Sequence, residues 1–384
     1  MATQAVNVTG AVLSWARDQA GLSVEELARE LTLAPEQIAS WESEESHPTR
    51  GQVTKLAEIL KRPSAVFLLT DAPSGASLAP SLRSAPGLGG APLRSRDLRA
   101  IRQRQRVQTM LSWCISDRGD PPVDLPRLDT GIDAATAGED ARARSRIGLE
   151  EQMGWKNDGE AFRAWRAALE RQGVFVQQSS LGRGGLRGFS VWDDHAPLVV
   201  VNSAYHPTAR SFTLMHEFGH LLNGSAAACM HFVDPADAGR MAERWCERFA
   251  ASYLVPAKAL AEEAARHGIT RSAPASEPGT VRRIANRFRV SGRAMAIRLT
   301  DVDLGVPELY GTFMAWMGQR DWNEGGGGSG EQRIEKRRRE LGVQTIQTFL
   351  TAFESGRLNL RDLTDYLGLS PNEIDDLTAA LAGE

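Results

Sequence analysis

Three cysteines in 384 residues, no two of them spaced as a CxxC pair, are too few and too odd in number for a disulfide framework. Cys114, Cys229 and Cys246 read as core or incidental thiols of a reducing compartment. No apolar run approaches the roughly 20 residues needed to cross a bilayer, and the chain does not open on a basic-then-apolar signal segment. A cytoplasmic protein with no membrane role is expected. An excess of one charge is also missing. The 45 basic and 48 acidic residues leave a formal net charge of -3, so no global field draws the whole molecule onto nucleic acid and any such contact must be local. There is no internal repeat of solenoid period.

The composition is uneven along the chain. Residues 1–70 carry compact helical patterns. The stretch 71–95, containing APSGASLAPSLRSAPGLGGAPLRS, is rich in Ala, Pro, Gly and Ser and reads as a linker. Residues 96–320 mix helical and strand patterns. A second joint over 321–332, containing NEGGGGSG, precedes a helical block over 333–384.

The first block reads as five short helices. Ser23 caps a helix bearing Leu27, Ala28 and Leu31, with Glu26 three positions on as a capping box. A turn leads to a helix from Ala34 to Glu42 that places Ile38 and Trp41 inward and leaves Glu36, Gln37, Ala39 and Ser40 outward. AGLS, ELA, QIASWE, Pro48 and LAEIL, across about 55 residues, resemble the XRE (Cro/repressor-type) helix-turn-helix family. The resemblance implies that the second helix enters the major groove, with Gln37 and Ser40 placed to touch DNA. Charge opposes this: residues 1–70 hold six basic against nine acidic side chains, and phosphate contacts normally supply much of the affinity. A homodimer or a second basic patch must help, or the block binds protein instead. LRSRDLRAIRQRQRVQTMLSW (93–113) offers such a patch, with Arg94, Arg96, Arg99, Arg102, Arg104 and Arg106 against one acid, Asp97. A helix whose arginines meet carboxylates elsewhere in the fold is the other reading.

In the middle block, LRGFSVWDDHAPLVVVN (186–202) reads as a hairpin turning at Asp193, Asp194 and His195. The stretch TLMHEFGHLLNG (213–224) follows. His216 and His220, one helical turn apart, share a face and can reach one tetrahedral zinc ion, while Glu217, about 100° round the helix, stands beside it as a proton acceptor for water. A third ligand is needed. MAERWCERFAASYLVP (241–256) supplies Glu243 on another helix, with Glu247 one turn further to support a ligating imidazole. The strand Leu198–Val201 is expected to receive an extended substrate by edge pairing. Tyr205, His206 and His231 are the nearby candidates for an oxyanion stabiliser.

Arg210 to Leu222, ERWCERFAASYLVP and LVVVN together resemble the ImmA/IrrE family of metallopeptidases over roughly residues 96–320. The resemblance implies zinc ligands at His216, His220 and Glu243 and a general base and acid at Glu217. Many members have Asn or Asp where Glu247 stands, which weakens its supporting role. The expected fold is α+β: an all-α helix-turn-helix bundle, a zincin-like domain with an HExxH helix and a small mixed sheet, and a small C-terminal helical bundle favouring protein over DNA contact. The expected function is a zinc-dependent regulatory endopeptidase that cleaves a repressor or other regulatory protein in bacterial stress, phage or mobile-element control. The alternative is a non-proteolytic transcriptional regulator or antitoxin that binds DNA and a partner toxin.

Overall fold

The structure is a computed structural model that describes residues 5–20, 22–60, 64–71, 95–129, 131–182, 186–224, 238–318 and 332–382. Nearly all of the two expected linkers, together with Cys229 and His231, lie outside the described residues. The chain forms two compact units, one of residues up to 103 and one of the described residues from 104 onward.

The first unit holds α1 (Gly10–Gln19), α2 (Val24–Leu31), α3 (Pro35–Glu42) and α4 (Arg50–Leu60), then a 3-10 turn over Ser64–Leu68. Ser23 and Glu26 close the expected capping box on α2, and Thr32 ends that helix in the left-handed region at φ 58°. Leu13, Leu27, Ile38, Trp41, Leu56 and Phe67 share one core, each large side chain removed from water contributing roughly 1.5–3 kcal/mol. Arg17 clasps Glu42 at 2.6 Å, joining α1 to α3. A Cβ at Gly10 would lie 2.2 Å from the Glu42 carbonyl oxygen, so only glycine allows α1 to start there.

The second unit contains α5 (Ser95–Asp117, shared with the first unit at its start), α6 (Ala134–Ser145), α7 (Leu149–Gly154), α8 (Asp158–Glu170), β1 (Phe175–Ser179), β2 (Gly188–Val191) and β3 (Leu198–Asn202). Then come α9 (Pro207–Leu222), α10 (Ala238–Leu254), α11 (Ala257–Ala265), α12 (Pro278–Phe288), α13 (Gly292–Asp301) and α14 (Leu309–Gly318). The strand order is β1-β3-β2, with β3 parallel to β1 and antiparallel to β2. The expected hairpin is present. All five residues of β3 are buried, as a strand covered on both faces requires. The α+β layout holds, and no described helix is long and apolar enough to cross a membrane.

Because β3 pairs on both sides, the expectation that Leu198–Val201 receives substrate at a free edge is overturned: its backbone groups are already spent on β1 and β2. For the basic helix, the second of its two readings is the one observed. Within the first unit Arg99 faces Glu30 at 3.6 Å and Arg102 donates to the Asp18 carbonyl. Within the second, Arg104 is buried on Gln177 and Gln178, and Arg106 lies over the Tyr366 ring. These cations serve internal acceptors rather than an open phosphate-facing row.

The C-terminal block forms four helices, α15 (Arg333–Leu341), α16 (Val343–Glu354), α17 (Leu360–Leu367) and α18 (Pro371–Ala382). It belongs to the same compact unit as the sheet, not to a separate domain as its Gly-rich approach suggested. The Arg339 carbonyl accepts from Arg166 at 2.7 Å and from Gln178 at 2.9 Å, so α15 is sewn onto β1. Gly342, at φ 87°, makes the turn into α16 where a Cβ would meet Arg166 at 2.2 Å.

Candidate metal centre

Helix α9 starts with Pro207 at its first turn and with the His206 ring accepting from the Thr208 N–H. Its apolar residues Leu214, Met215, Phe218, Leu221 and Leu222 are all buried against the sheet and α10. That packing turns His216 and His220 towards α10. Helix α10 is held unusually close. A Cβ on Gly219 would lie 3.1 Å from the Phe249 ring, and one on Gly138 of α6 would lie 2.5 Å from the Phe249 carbonyl oxygen. Trp245 stacks on Phe249 and donates to the Ile132 carbonyl at 2.8 Å.

The C-terminal end of α10 is pinned as well. Helix ends leave carbonyls without intrahelical partners, and here Arg142 donates to Tyr253 O at 2.9 Å, Gln152 to Leu254 O at 2.9 Å, and Arg298 to Val255 O at 3.1 Å. Burial pushes the Arg142 guanidinium down to about 10, a cost offset by the favourable charge of the helix end.

These constraints bring three donors together. His216 Nε2 and His220 Nε2 are 3.1 Å apart. Glu243 places Oε2 3.2 Å from His216 and Oε1 3.4 Å from His220. A tetrahedral zinc with bonds of about 2.0–2.2 Å keeps its donors roughly 3.3–3.6 Å apart, so the spacing fits such an ion within a few tenths of an ångström. The chemistry of the set also fits, since two imidazoles and a carboxylate are ordinary zinc donors. The surrounding carboxylates favour positive charge at this point. Burial opposes charge on His216, yet the hydrogen bond to Glu243 and the charges of Glu217, Glu243 and Glu247 raise its pKa. Burial likewise pushes Glu243 up, but the two imidazoles outweigh it and hold the carboxyl at about 2.

Glu217 is buried and is not one of the three converging groups. Its Oε2 accepts a hydrogen bond of 2.9 Å from Ser190 Oγ on β2. Strand β2 passes this close because residue 188 is glycine: a Cβ there would sit 2.6 Å from Thr213 and 3.4 Å from the Glu217 side chain. Sequence reasoning missed Ser190. The available signal was a hydroxyl at an otherwise apolar stretch of a short strand, GFSV.

Two expectations in the second unit fail on geometry. Glu247 is exposed and hydrogen-bonds neither imidazole, acting on His216 only through its charge. Tyr205 and His206 lie at the start of α9, about 15 Å along the helix from His216 at 1.5 Å per residue, too far to stabilise an oxyanion there. In the first unit Gln37 is exposed on α3, whereas Ser40 is engaged with Ser46 Oγ at 2.7 Å. The two described cysteines sit in the core: Cys114 and Cys246 are buried and form no disulfide among the described residues, Cys246 Sγ accepts from the Asn223 side chain at 3.3 Å, and burial raises the Cys114 thiol to about 11.

A helical unit with a helix-turn-helix core, followed by an α+β unit presenting two histidines and a glutamate around one point, defines a class of two-part proteins. Residues 13–67 match the helix-turn-helix family, and residues 169–300 match the M78 peptidase family in its IrrE N-terminal-like domain. The chain thus carries one span similar to a helix-turn-helix domain and another similar to an IrrE-type M78 peptidase domain, the second containing the sheet, α9 and α10. No curated protein matches the chain.

Proposed function

We propose that the chain is a zinc-dependent endopeptidase that cleaves a regulatory protein, such as a repressor, under the direction of its helix-turn-helix unit. The observation that carries this reading is the convergence of His216, His220 and Glu243 at tetrahedral donor spacing. A bound zinc would supply Lewis acidity for a peptide carbonyl and lower the pKa of water to about 7.

The remaining work falls to side chains of the chain itself. Ser190 occupies Oε2 of Glu217 and fixes the carboxylate. Oε1 is then left to accept a proton from the attacking water and return it to the leaving amine. Pairing of Arg187 with Asn202 through the Asn202 N–H, together with antiparallel alternation, directs the Gly188 and Ser190 peptide groups away from β3. An extended substrate would pair along that side of β2, next to Glu217.

Metal analysis of the purified protein is expected to find about one zinc per chain, lost in His216→Ala. Chelation should lower the melting temperature of the wild type and leave that variant unmoved. Glu217→Gln should keep the metal and abolish cleavage of a co-expressed partner. A biological phenotype that survives Glu217→Gln would favour the non-proteolytic regulator or antitoxin instead.

A further inference from the structure

The segment 123–128 crosses from the β2–β3 hairpin to the end of α9, and its backbone is tied at both places. The Val123 N–H donates to the Asp194 carbonyl at 2.7 Å, and the Leu128 N–H donates to the Leu222 carbonyl at 2.8 Å. Leu125, between them, is buried. Arg127 is therefore carried on a fixed backbone while its side chain stays exposed.

The Arg127 guanidinium lies over the Trp192 ring, its central carbon 3.4 Å from the ring centre. That ring is itself held, since its Nε1 donates to Asp194 Oδ1 at 2.9 Å. Apart from the ring, Arg127 has no partner among the described residues. The acids of the hairpin turn are occupied elsewhere: Asp194 by the Trp192 ring, and Asp193 by the His195 and Ala196 N–H groups. A guanidinium resting on an aromatic face keeps its in-plane N–H donors open, and that fork matches a carboxylate.

The position of Arg127 gives those donors a use. One of its Nη atoms comes within 3.9 Å of where a Cβ on Gly224 would stand, and Gly224 is four residues past His220, roughly 6 Å along the helix axis. Trp192 is two residues past Ser190, whose hydroxyl holds Glu217, or roughly 7 Å of extended chain. Arg127 thus stands at the Trp192 end of the groove between β2 and α9. A peptide extended along the free side of β2 would bring a side chain to it about two residues from the bond beside Glu217.

We propose that Arg127 sets substrate specificity by gripping a Glu or Asp side chain about two residues from the cleaved bond. This rests on the peptidase reading and adds to it an acidic substrate segment. The stacked, anchored guanidinium is preorganised for that contact, so little side-chain freedom is lost on binding.

Calorimetric titration of the full chain bearing Glu217→Gln, which leaves bound peptide uncut, tests this with alanine hexapeptides capped at both ends and carrying one Glu, Gln or Lys. The Glu peptide is expected to bind about fivefold tighter than the Gln peptide. Adding Arg127→Gln should abolish the preference, Arg127→Glu should turn it towards Lys, and Arg361→Gln should leave it unchanged. In a second arm, the cuts that the zinc-loaded wild type makes in denatured casein are read by mass spectrometry. Acids should be enriched about two residues from the bond, and Arg127→Gln should remove that enrichment. Glu-selective binding that depends on Arg127, in a protein whose wild type cuts nothing, would uphold the carboxylate site and count against the peptidase reading. Equal binding of the three peptides, no binding of any, or a Glu preference indifferent to both Arg127 substitutions overturns the proposal.

Discussion

At the scale of single residues, the candidate site depends on small side chains as much as on its donors. Ser190 supplies a buried hydroxyl to Glu217, and its loss would leave a buried carboxylate oxygen without a donor. Ser190→Ala is therefore expected to lower kcat on a cleaved partner by about tenfold or more with little change in KM or zinc content. Thr in its place should restore part of the rate. Steady-state kinetics with parallel metal analysis reads both. Gly138 works through space rather than chemistry. A side chain there drives into the Phe249 carbonyl, so Gly138→Val should destabilise the fold by about 1–3 kcal/mol, as overpacking does, and displace Glu243 from the histidines. Denaturant unfolding and zinc affinity should fall together; a variant that melted normally with full zinc affinity would contradict this account.

At the scale of elements, α9 was legible because its signals are local: His216 and His220 at one-turn spacing, Pro207 at the first turn, and five apolar residues on the packed side. Helix α10 was legible for the same reason. The strand roles were not. LVVVN announces a buried strand, but whether it lies at the edge or the centre depends on which other segments pair with it, and β1, which precedes the hairpin in sequence, pairs with β3 rather than with its sequence neighbour β2. The clamp on the end of α10 was equally hidden, since Gln152 and Leu254 are distant in sequence. Gln152 donates to both Leu254 O and Phe288 O from a fully buried position. Gln152→Leu removes both bonds and should cost about 2–4 kcal/mol, the sum of two buried carbonyls losing a donor. Thermal unfolding of that variant with and without chelator would show whether zinc binding weakens with the helix.

At the scale of the whole molecule, the C-terminal helices are part of the unit that carries His216, His220 and Glu243. Removing residues after 320 takes the Arg339 carbonyl from Arg166 and Gln178 and uncovers buried polar groups beside β1. The shortened chain is expected to melt lower than the intact one by several degrees or more. An unchanged melting temperature would show that the block contributes nothing to the fold. The helix-turn-helix unit has its own whole-molecule consequence. With six basic against nine acidic residues up to position 70, and with Arg99 facing Glu30 and Arg102 donating to the Asp18 carbonyl, its binding to DNA should be weak and fall with salt at a shallow slope. A filter-binding or anisotropy series across salt concentrations measures that slope, and tight, steeply salt-dependent binding would refute the charge argument.

The linear order of residues by itself determined the two domain types, the HExxH helix with His216 and His220 on one face, the capping box of α2 and the β2–β3 hairpin, because each is written in local spacings. Tertiary structure alone decided which strand is enclosed, that Ser190 holds Glu217, that Glu247 does not hold an imidazole, that Glu243 meets the two histidines, and that α15 is bonded onto β1. Those outcomes depend on which distant segments share a core, and hydrophobic burial, being non-directional, leaves that choice to the packing of the whole chain.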